Sequence, residues 1–158
     1  MSKVTDIEEA KAEDPEALRD ALLDQLAYLI DEAEALQSVV GAVPEQIKSG
    51  RPTPDDLTMK EIYGAIVTLD ADVRRPRVDR ILEEERPTLE PTNVDEEVRE
   101  SGWNERELPD ILNRLREARQ ALVDVLADRP LEAWHRSATL EDESLTLFEL
   151  VHRMTEAD

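Results

Sequence analysis

Cysteine is absent from all 158 residues of this sequence. This absence excludes disulfide bonds, thiolate metal sites and thiol catalysis together. A chain of this length buries roughly 70% of the surface that it exposes when unfolded, so its core needs no covalent or metal cross-link. A lack of cysteine is also typical of proteins that work in a reducing compartment, and we expect a cytoplasmic location.

Long apolar runs and aromatic residues are scarce as well. No apolar segment approaches the roughly 20 residues that a helix needs to span a bilayer. The first six residues lack the apolar core and cleavage pattern of a secretion signal. Two tryptophans, two tyrosines and one phenylalanine are too few to form stacking platforms for nucleic-acid bases. We therefore expect no membrane segment and no aromatic surface for nucleic acids.

Positively charged residues are also scarce: the chain has 19 basic and 39 acidic residues, and its net charge is −20. Such a field repels phosphate backbones and anionic lipids, so we expect neither nucleic-acid binding nor membrane binding. The acidity has two interpretations: a surface adapted to high salt, where salt screens the repulsion, or a docking surface for a basic protein. Its even spread along the chain favours adaptation to high salt.

Apolar residues recur at spacings of three and four, which is the pattern of one buried helix face. The first such stripe starts after Asp14 and Pro15, a capping residue and a favoured first helical residue. It runs to about Val40, where Gly41 and Pro44 end it. The sequence therefore predicts a long first helix.

The second stripe opens at Thr58 and Glu61, the spacing of a capping box. It continues beyond Pro76, which removes a backbone donor and should bend the helix. Two separate helices are the alternative, but the stripe resumes directly after the proline and favours one helix.

A third stripe follows the capping pair Asn104 and Glu107, and Pro130 ends it. A further capping box at Thr146 and Glu149 opens a short last helix. No strand-like alternation of any length is present. We predict an all-α, antiparallel four-helix bundle with long inter-helix linkers, formed as one domain over residues 14–158 after a polar segment at residues 1–13. The linkers are residues 41–57, 86–103 and 130–144.

Three segments of the chain resemble the DinB-like superfamily of four-helix-bundle proteins. Their order and spacing carry more weight than any single one. They are the opening of the second helix at Leu57-Thr58-Met59-Lys60-Glu61-Ile62-Tyr63-Gly64 with Asp70 and Pro76-Arg77-Val78 beyond it, the proline-bearing exit Glu85-Arg86-Pro87-Thr88-Leu89-Glu90-Pro91, and Trp134-His135-Arg136 followed by Leu145-Thr146-Leu147-Phe148-Glu149-Leu150-Val151.

The resemblance implies a divalent metal site of three histidines, one from the second helix and two, four residues apart, from the fourth. An open coordination position on such a metal activates water or a thiol. The matching positions here are near Ala65, Arg153 and Ala157, and none of them is a histidine. These departures predict a degenerate metal site and no bound cofactor, with zinc or nickel as the alternative.

Histidine, the ligand that the family's site uses, is scarce. The chain has only two histidines, His135 and His152. Glu149 lies three residues before His152 on the last helix, and Asp70 lies on the second helix. An enzymatic site would use His135, His152, Glu149 and Asp70 to bind a metal. The interpretation that we favour places His152 beside the buried stripe and His135 on a loop.

One basic cluster stands out in the acidic chain. Arg74, Arg77 and Arg80 follow each other closely in the second helix. They predict either a contact for an anion or partner, or surface ion pairs with the many carboxylates, and we favour ion pairs.

Together these features favour a DinB-like protein that is metal-less and non-catalytic and that acts through its surface or a residual pocket of the bundle. The short last helix leaves apolar faces of the other helices uncovered, so we also expect a homodimer through helix faces. One alternative is an enzyme, a metal-dependent thiol transferase or hydrolase of the DinB-like kind. The other is an acidic docking module for a basic protein. The sequence names no substrate and no partner protein.

Overall fold

The structure, a computed structural model, describes residues 14–157 and is dominated by α-helices, as the periodicity predicts. The polar segment predicted at residues 1–13 lies outside the described residues. The α-helices are α1 (Pro15–Gln37), α2 (Glu45–Ser49), α3 (Met59–Thr68), α4 (Arg75–Glu83), α5 (Asp95–Glu100), α6 (Leu108–Ala127), α7 (Leu131–Trp134) and α8 (Leu147–Ala157).

Three of the predicted helix caps are confirmed. The Asp14 carboxylate accepts a hydrogen bond from the Ala17 amide at 3.1 Å, at the start of α1. Thr58 and Glu61 form both halves of a capping box at the start of α3. Thr146 and Glu149 do the same before α8, with the Glu149 amide donating to the Thr146 hydroxyl at 3.2 Å. Each cap satisfies backbone donors that the first helical turn leaves without a partner.

The fourth predicted cap is wrong. Helix α6 begins at Leu108, and Asn104 lies before it in a short 3₁₀ turn, Trp103–Glu105. The Asn104 side chain instead accepts a hydrogen bond from the Thr58 hydroxyl at 2.5 Å. The Asn104 side chain therefore bonds to Thr58 at the start of α3, and does not cap α6 as the local pattern predicts.

The second predicted helix is one continuous helical run, as expected, but its middle is widened. A π-helical segment, Leu69–Arg74, joins α3 to α4 and ends two residues before Pro76. Within it the Arg75 amide donates to the carbonyl of Asp70, five residues back. Because Pro76 has no amide donor, the wider turn accommodates it without ending the helix.

A small sheet was not expected from the sequence, and the prediction of no strands is wrong there. Strand β1 (Thr88–Leu89) pairs in parallel with β2 (Ser137–Leu140), and β2 pairs antiparallel with β3 (Glu143–Thr146). The β2–β3 hairpin has a two-residue loop, Glu141 and Asp142, with φ angles of 51° and 65°. Positive φ at both positions is the geometry of a tight type I′ turn.

The described residues form two compact units. The first contains the residues up to Ala27, Arg77–Pro91 and the residues from Val123 onward, and its buried residues include Trp134 and Phe148. The second contains Tyr28–Pro76 and Thr92–Leu122, and its apolar core includes Trp103. The proposal of one domain over residues 14–158 stays a prediction. No helix between residues 14 and 157 combines the length and hydropathy that crossing a bilayer requires.

Candidate functional site

Asp70 and two arginines form a buried ionic cluster in the second unit. The Asp70 carboxylate, on the π-helical segment, is fully buried. Arg119 on α6 donates to it from Nε at 2.7 Å and from Nη2 at 3.2 Å, and Arg74 donates from Nη1 at 2.9 Å. Arg119 is also fully buried. Such bidentate charged contacts fix both the distance and the orientation of the groups. We call Asp70, Arg74 and Arg119 the arginine–aspartate cluster.

Helix periodicity explains how the sequence builds this cluster. Arg74 lies four residues after Asp70, so the two side chains share a helix face. Arg119 lies four residues after Leu115 and three before Leu122, which are both buried. It therefore occupies the apolar stripe of α6. An arginine on such a stripe signals a buried charge that needs a carboxylate partner, and this signal was missed in the sequence.

The two arginines of the cluster limit the ability of the Asp70 carboxylate to bind a metal ion. Its two carboxylate oxygens already accept three hydrogen bonds from guanidinium groups. A divalent cation at this carboxylate would also face two fixed positive charges. Asp70 is thus the acceptor of buried ion pairs with Arg74 and Arg119, and its role as a metal ligand stays a prediction.

The part of α3 where the resemblance expects a histidine is filled by apolar side chains. A Cβ atom built on Gly64 would lie 2.4 to 2.7 Å from three carbons of the Trp103 indole. Ala65 and Ile66 pack against the same apolar core. The Trp103 Nε1 is buried and has no hydrogen-bond partner among the described residues. This packing leaves no space on Gly64 for a ligating side chain.

The two histidines have other neighbours. His152 Nδ1 lies 3.1 Å from the carboxylate of Glu156, one turn further along α8. The Glu149 carboxylate accepts hydrogen bonds from the amide and hydroxyl of Thr146. His135 follows α7, with its ring centroid 5.2 Å from that of Phe148.

A three-histidine metal centre does not fit these residues. Arg153 stands near one expected ligand position, and its guanidinium pairs with Glu143 at 2.8 Å. Ala157, near the other, has no ligating atom. Across residues 14–157, no three His, Cys, Asp or Glu side chains come together as a metal-binding group.

The basic cluster of the second helix is engaged by the protein itself. Arg77 donates to the Glu90 carbonyl at 2.5 Å, and Arg80 donates to the Thr88 carbonyl at 2.8 Å and to the Glu84 carboxylate at 2.8 Å. The bond to Glu84 raises the pKa of Arg80 and lowers the pKa of Glu84. With Arg74 in the arginine–aspartate cluster, all three arginines have protein partners. Their role as anion or partner contacts stays a prediction.

A second buried carboxylate lies at the start of α3. Glu61 is 2% exposed and accepts hydrogen bonds from both terminal nitrogens of Arg51, at 2.5 and 3.0 Å. Burial raises the pKa of Glu61, but the bonds from Arg51 and Thr58 outweigh it, so that the pKa lies below the ordinary value of 4.5. The neighbouring Lys60 is buried and donates to Glu45 at 2.7 Å. These pairs fix the entry to α3.

Comparison with known proteins identifies the fold. No protein-family model matches the chain. No curated protein matches it either. Among solved structures, YfiT from Bacillus subtilis matches with a TM-score of 0.73 and 14% sequence identity, over 87% of this chain and 77% of that chain. YfiT is described as a probable metal-dependent hydrolase with an unusual four-helix bundle topology. The chain thus has the DinB-like, all-α four-helix-bundle fold that its sequence predicts.

Proposed function

We propose that this chain is a DinB-like protein that works without a metal centre and acts by binding through its surface. The arginine–aspartate cluster carries the metal-less part of this proposal, and the acidic surface supports the binding part. Asp70 is the candidate ligand on the second helix, and two guanidinium groups already hold its carboxylate. The guanidinium of arginine keeps its positive charge at any physiological pH, so these two arginines disfavour the binding of a metal cation at Asp70.

The other expected ligand positions support the same conclusion. The Trp103 indole packs directly against Gly64, beside the predicted position near Ala65. On α8, the position at Arg153 holds a cation that pairs with Glu143. A metal bound by histidines would therefore need side chains that the described residues do not bring together.

Metal analysis tests the proposal directly. The protein is purified without chelators and without metal-affinity tags, dialysed, and analysed for bound metals. We expect well under one equivalent of zinc or nickel per chain. The double variant His135→Gln/His152→Gln is the control, because metal that remains in it is held by the acidic surface. Stoichiometric metal that survives dialysis in the parent protein and is lost in the variant would overturn the proposal.

The enzymatic alternative is a divalent-metal-dependent hydrolase or thiol transferase. The description of YfiT supports it, and its site would use His135, His152, Glu149 and Asp70. Ester and amide hydrolysis is then measured with added zinc or nickel. Activity that His152→Gln abolishes and that Arg153→Gln preserves would favour this alternative, because of these two neighbouring residues His152 can bind a metal and Arg153 cannot.

Two further proposals concern partners. The net charge of −20 supports docking of a basic protein, and the affinity of such a complex should fall steeply with salt. The second proposal is a homodimer formed through helix faces. Light scattering in high salt, where charge repulsion is screened, should detect the dimer, and a monomer under those conditions rules it out.

A further inference from the structure

An open cleft lies in the first unit, where the small sheet begins. Its volume is about 220 Å³, and it is lined by Glu85, Arg86, His135, Arg136 and Ser137. Arg86 leads through Pro87 into β1, and the last three residues lead into the neighbouring strand β2. A backbone hydrogen bond from the Thr139 amide to the Pro87 carbonyl, at 2.9 Å, joins the two segments. Sheet pairing therefore brings together basic side chains that lie about fifty positions apart in the sequence.

Arg136 is held firmly at this cleft. Its Nε donates to the Ile81 carbonyl at 2.7 Å, and its Nη2 donates to the Glu84 carbonyl at 2.8 Å. These carbonyls lie at and just beyond the last turn of α4, where a helix leaves acceptors unsatisfied and favours positive charge. The guanidinium is thereby fixed in place, while its Nη1 takes no part in either bond.

Arg86 is the unusual member of the cleft. It is exposed and adopts a φ of 47°, in the left-handed region that terminates helices. Within residues 14–157 it has no hydrogen-bond or ion-pair partner. In a chain with 39 acidic residues, an arginine without a carboxylate partner beside a second, anchored arginine gives this cleft a local excess of positive charge.

The remaining side chains add further donors. The His135 ring is fixed against Phe148, with its centroid 5.2 Å from that of the phenyl ring, and stays exposed to solvent. Ser137 contributes a hydroxyl group. Glu85 is the one carboxylate of the lining, so the two guanidinium groups outweigh it in charge. A set of two guanidinium groups, an imidazole and a hydroxyl is suited to bind an oxyanion.

We propose that this cleft binds the phosphate group of a small phosphomonoester. This inference rests on the proposed binding function and names its ligand class. A phosphate presents three acceptor oxygens and up to two negative charges, which can use donors from both arginines and the hydroxyl at once. A carboxylate presents only two oxygens and one charge. The volume of about 220 Å³ accommodates a phosphate group, and because the cleft is open, the rest of the ligand would project into solvent.

The net negative charge of the protein does not prevent this binding. At about 0.15 M salt the Debye length is about 8 Å, so carboxylates that lie farther than this from the cleft are largely screened. The groups that line the cleft then determine the affinity.

The two histidines provide a built-in test by NMR. His135 lines the cleft, while His152 lies on α8 and pairs with Glu156. Their Cε1–H signals, assigned with His152→Gln, are followed at constant pH during titration with inorganic phosphate. We expect the His135 signal to shift and saturate, while the His152 signal stays in place. Arg86→Gln should raise the Kd about tenfold, as expected for one charged hydrogen bond. Arg153→Gln, which lies outside the cleft, should leave the Kd unchanged.

Acetate at equal ionic strength distinguishes the ligand classes. Acetate that binds as tightly as phosphate would overturn the phosphate assignment. The proposal also fails if no signal shifts, if both signals shift together, or if folded Arg86→Gln binds as tightly as the parent.

Repeating the titration with a chelator separates this inference from the proposed function. Phosphate binding that vanishes with the chelator would show that a metal holds the phosphate, which overturns the cleft. Stoichiometric metal together with chelator-resistant phosphate binding would overturn only the metal-less function. A protein without metal that binds no phosphate would overturn only the cleft.

Discussion

Arg119→Met should destabilise the protein more than a typical surface substitution does. The change removes the guanidinium but keeps most of the length of the side chain. Asp70 and Arg119 are both fully buried. Arg119 donates two of the three hydrogen bonds that the two arginines of the cluster make to the Asp70 carboxylate. Removing one partner of a buried ion pair leaves a charge without sufficient compensation and costs about 3–5 kcal/mol.

This loss is large in relation to the stability of a typical domain. Domains unfold with free energies of about 5–15 kcal/mol, so the variant should lose about a third to a half of a mid-range value of about 10 kcal/mol. For a chain of this size each kcal/mol shifts the Tm by about 2–4 °C, which predicts a fall of roughly 6–20 °C. Urea unfolding followed by circular dichroism measures the free energy, and an unchanged m-value shows that the native and unfolded states are comparable.

Arg153→Met is the matched control, because it makes the same substitution at an exposed ion pair. The side chains of Arg153 and Glu143 are 47% and 57% exposed, and such pairs contribute at most about 1 kcal/mol. The double variant Asp70→Asn/Arg119→Met should cost less than the sum of its single changes, because it removes both charges together. Equal losses in Arg119→Met and Arg153→Met, or simple additivity in the double variant, would refute the cluster as a buried ionic unit.

Three further predictions concern stability. Gly64→Ala should cost about 1–3 kcal/mol in urea unfolding, because the added methyl group would overlap the Trp103 indole, and an unchanged stability would show that the indole moves aside. Glu61→Gln should reduce stability at neutral pH, and its deficit should shrink as the pH falls below about 4.5, because a carboxylate with a lowered pKa stabilises the fold above its ordinary pKa and loses that contribution as it is protonated. A deficit that stays constant between pH 7 and pH 3 contradicts this reasoning. The Tm should rise in molar salt if the acidic surface is adapted to salt, and a flat or falling Tm argues against it.

Local signals predicted three of the four proposed helix starts correctly. The caps at Asp14, Thr58 and Thr146 involve donors and acceptors only three positions apart, so the sequence alone contains both partners. The continuation of the second helix past Pro76 was also predicted, because the apolar stripe resumes after it. The π-helical segment that makes this possible was not predicted, since it depends on backbone hydrogen bonds rather than on residue pattern.

Features that depend on distant partners escaped prediction. Asn104 was assigned to a cap on α6, but a hydrogen bond with Thr58, 46 positions away, determines its place. The β2–β3 hairpin was missed because Glu141 and Asp142 occupy a turn that usually contains Asn-Gly. The same limit applies to the cleft, whose arginines become neighbours only when β1 pairs with β2.

The arginine–aspartate cluster explains how the chain can keep a buried carboxylate on the second helix without a metal ion. A buried carboxylate requires a positive counter-charge, since an isolated one costs several kcal/mol or more. A metal ion supplies that charge together with open coordination positions, where water or substrate can bind. A guanidinium group supplies the same sign of charge through directed hydrogen bonds and has no such position. Arg119 and Arg74 therefore meet the electrostatic requirement of Asp70 through directed hydrogen bonds. Histidine substituted for Arg119 would give a potential metal ligand beside Asp70, but Arg74 would still hold the carboxylate. The indole of Trp103 would also block a ligating side chain on Gly64, next to the expected position near Ala65.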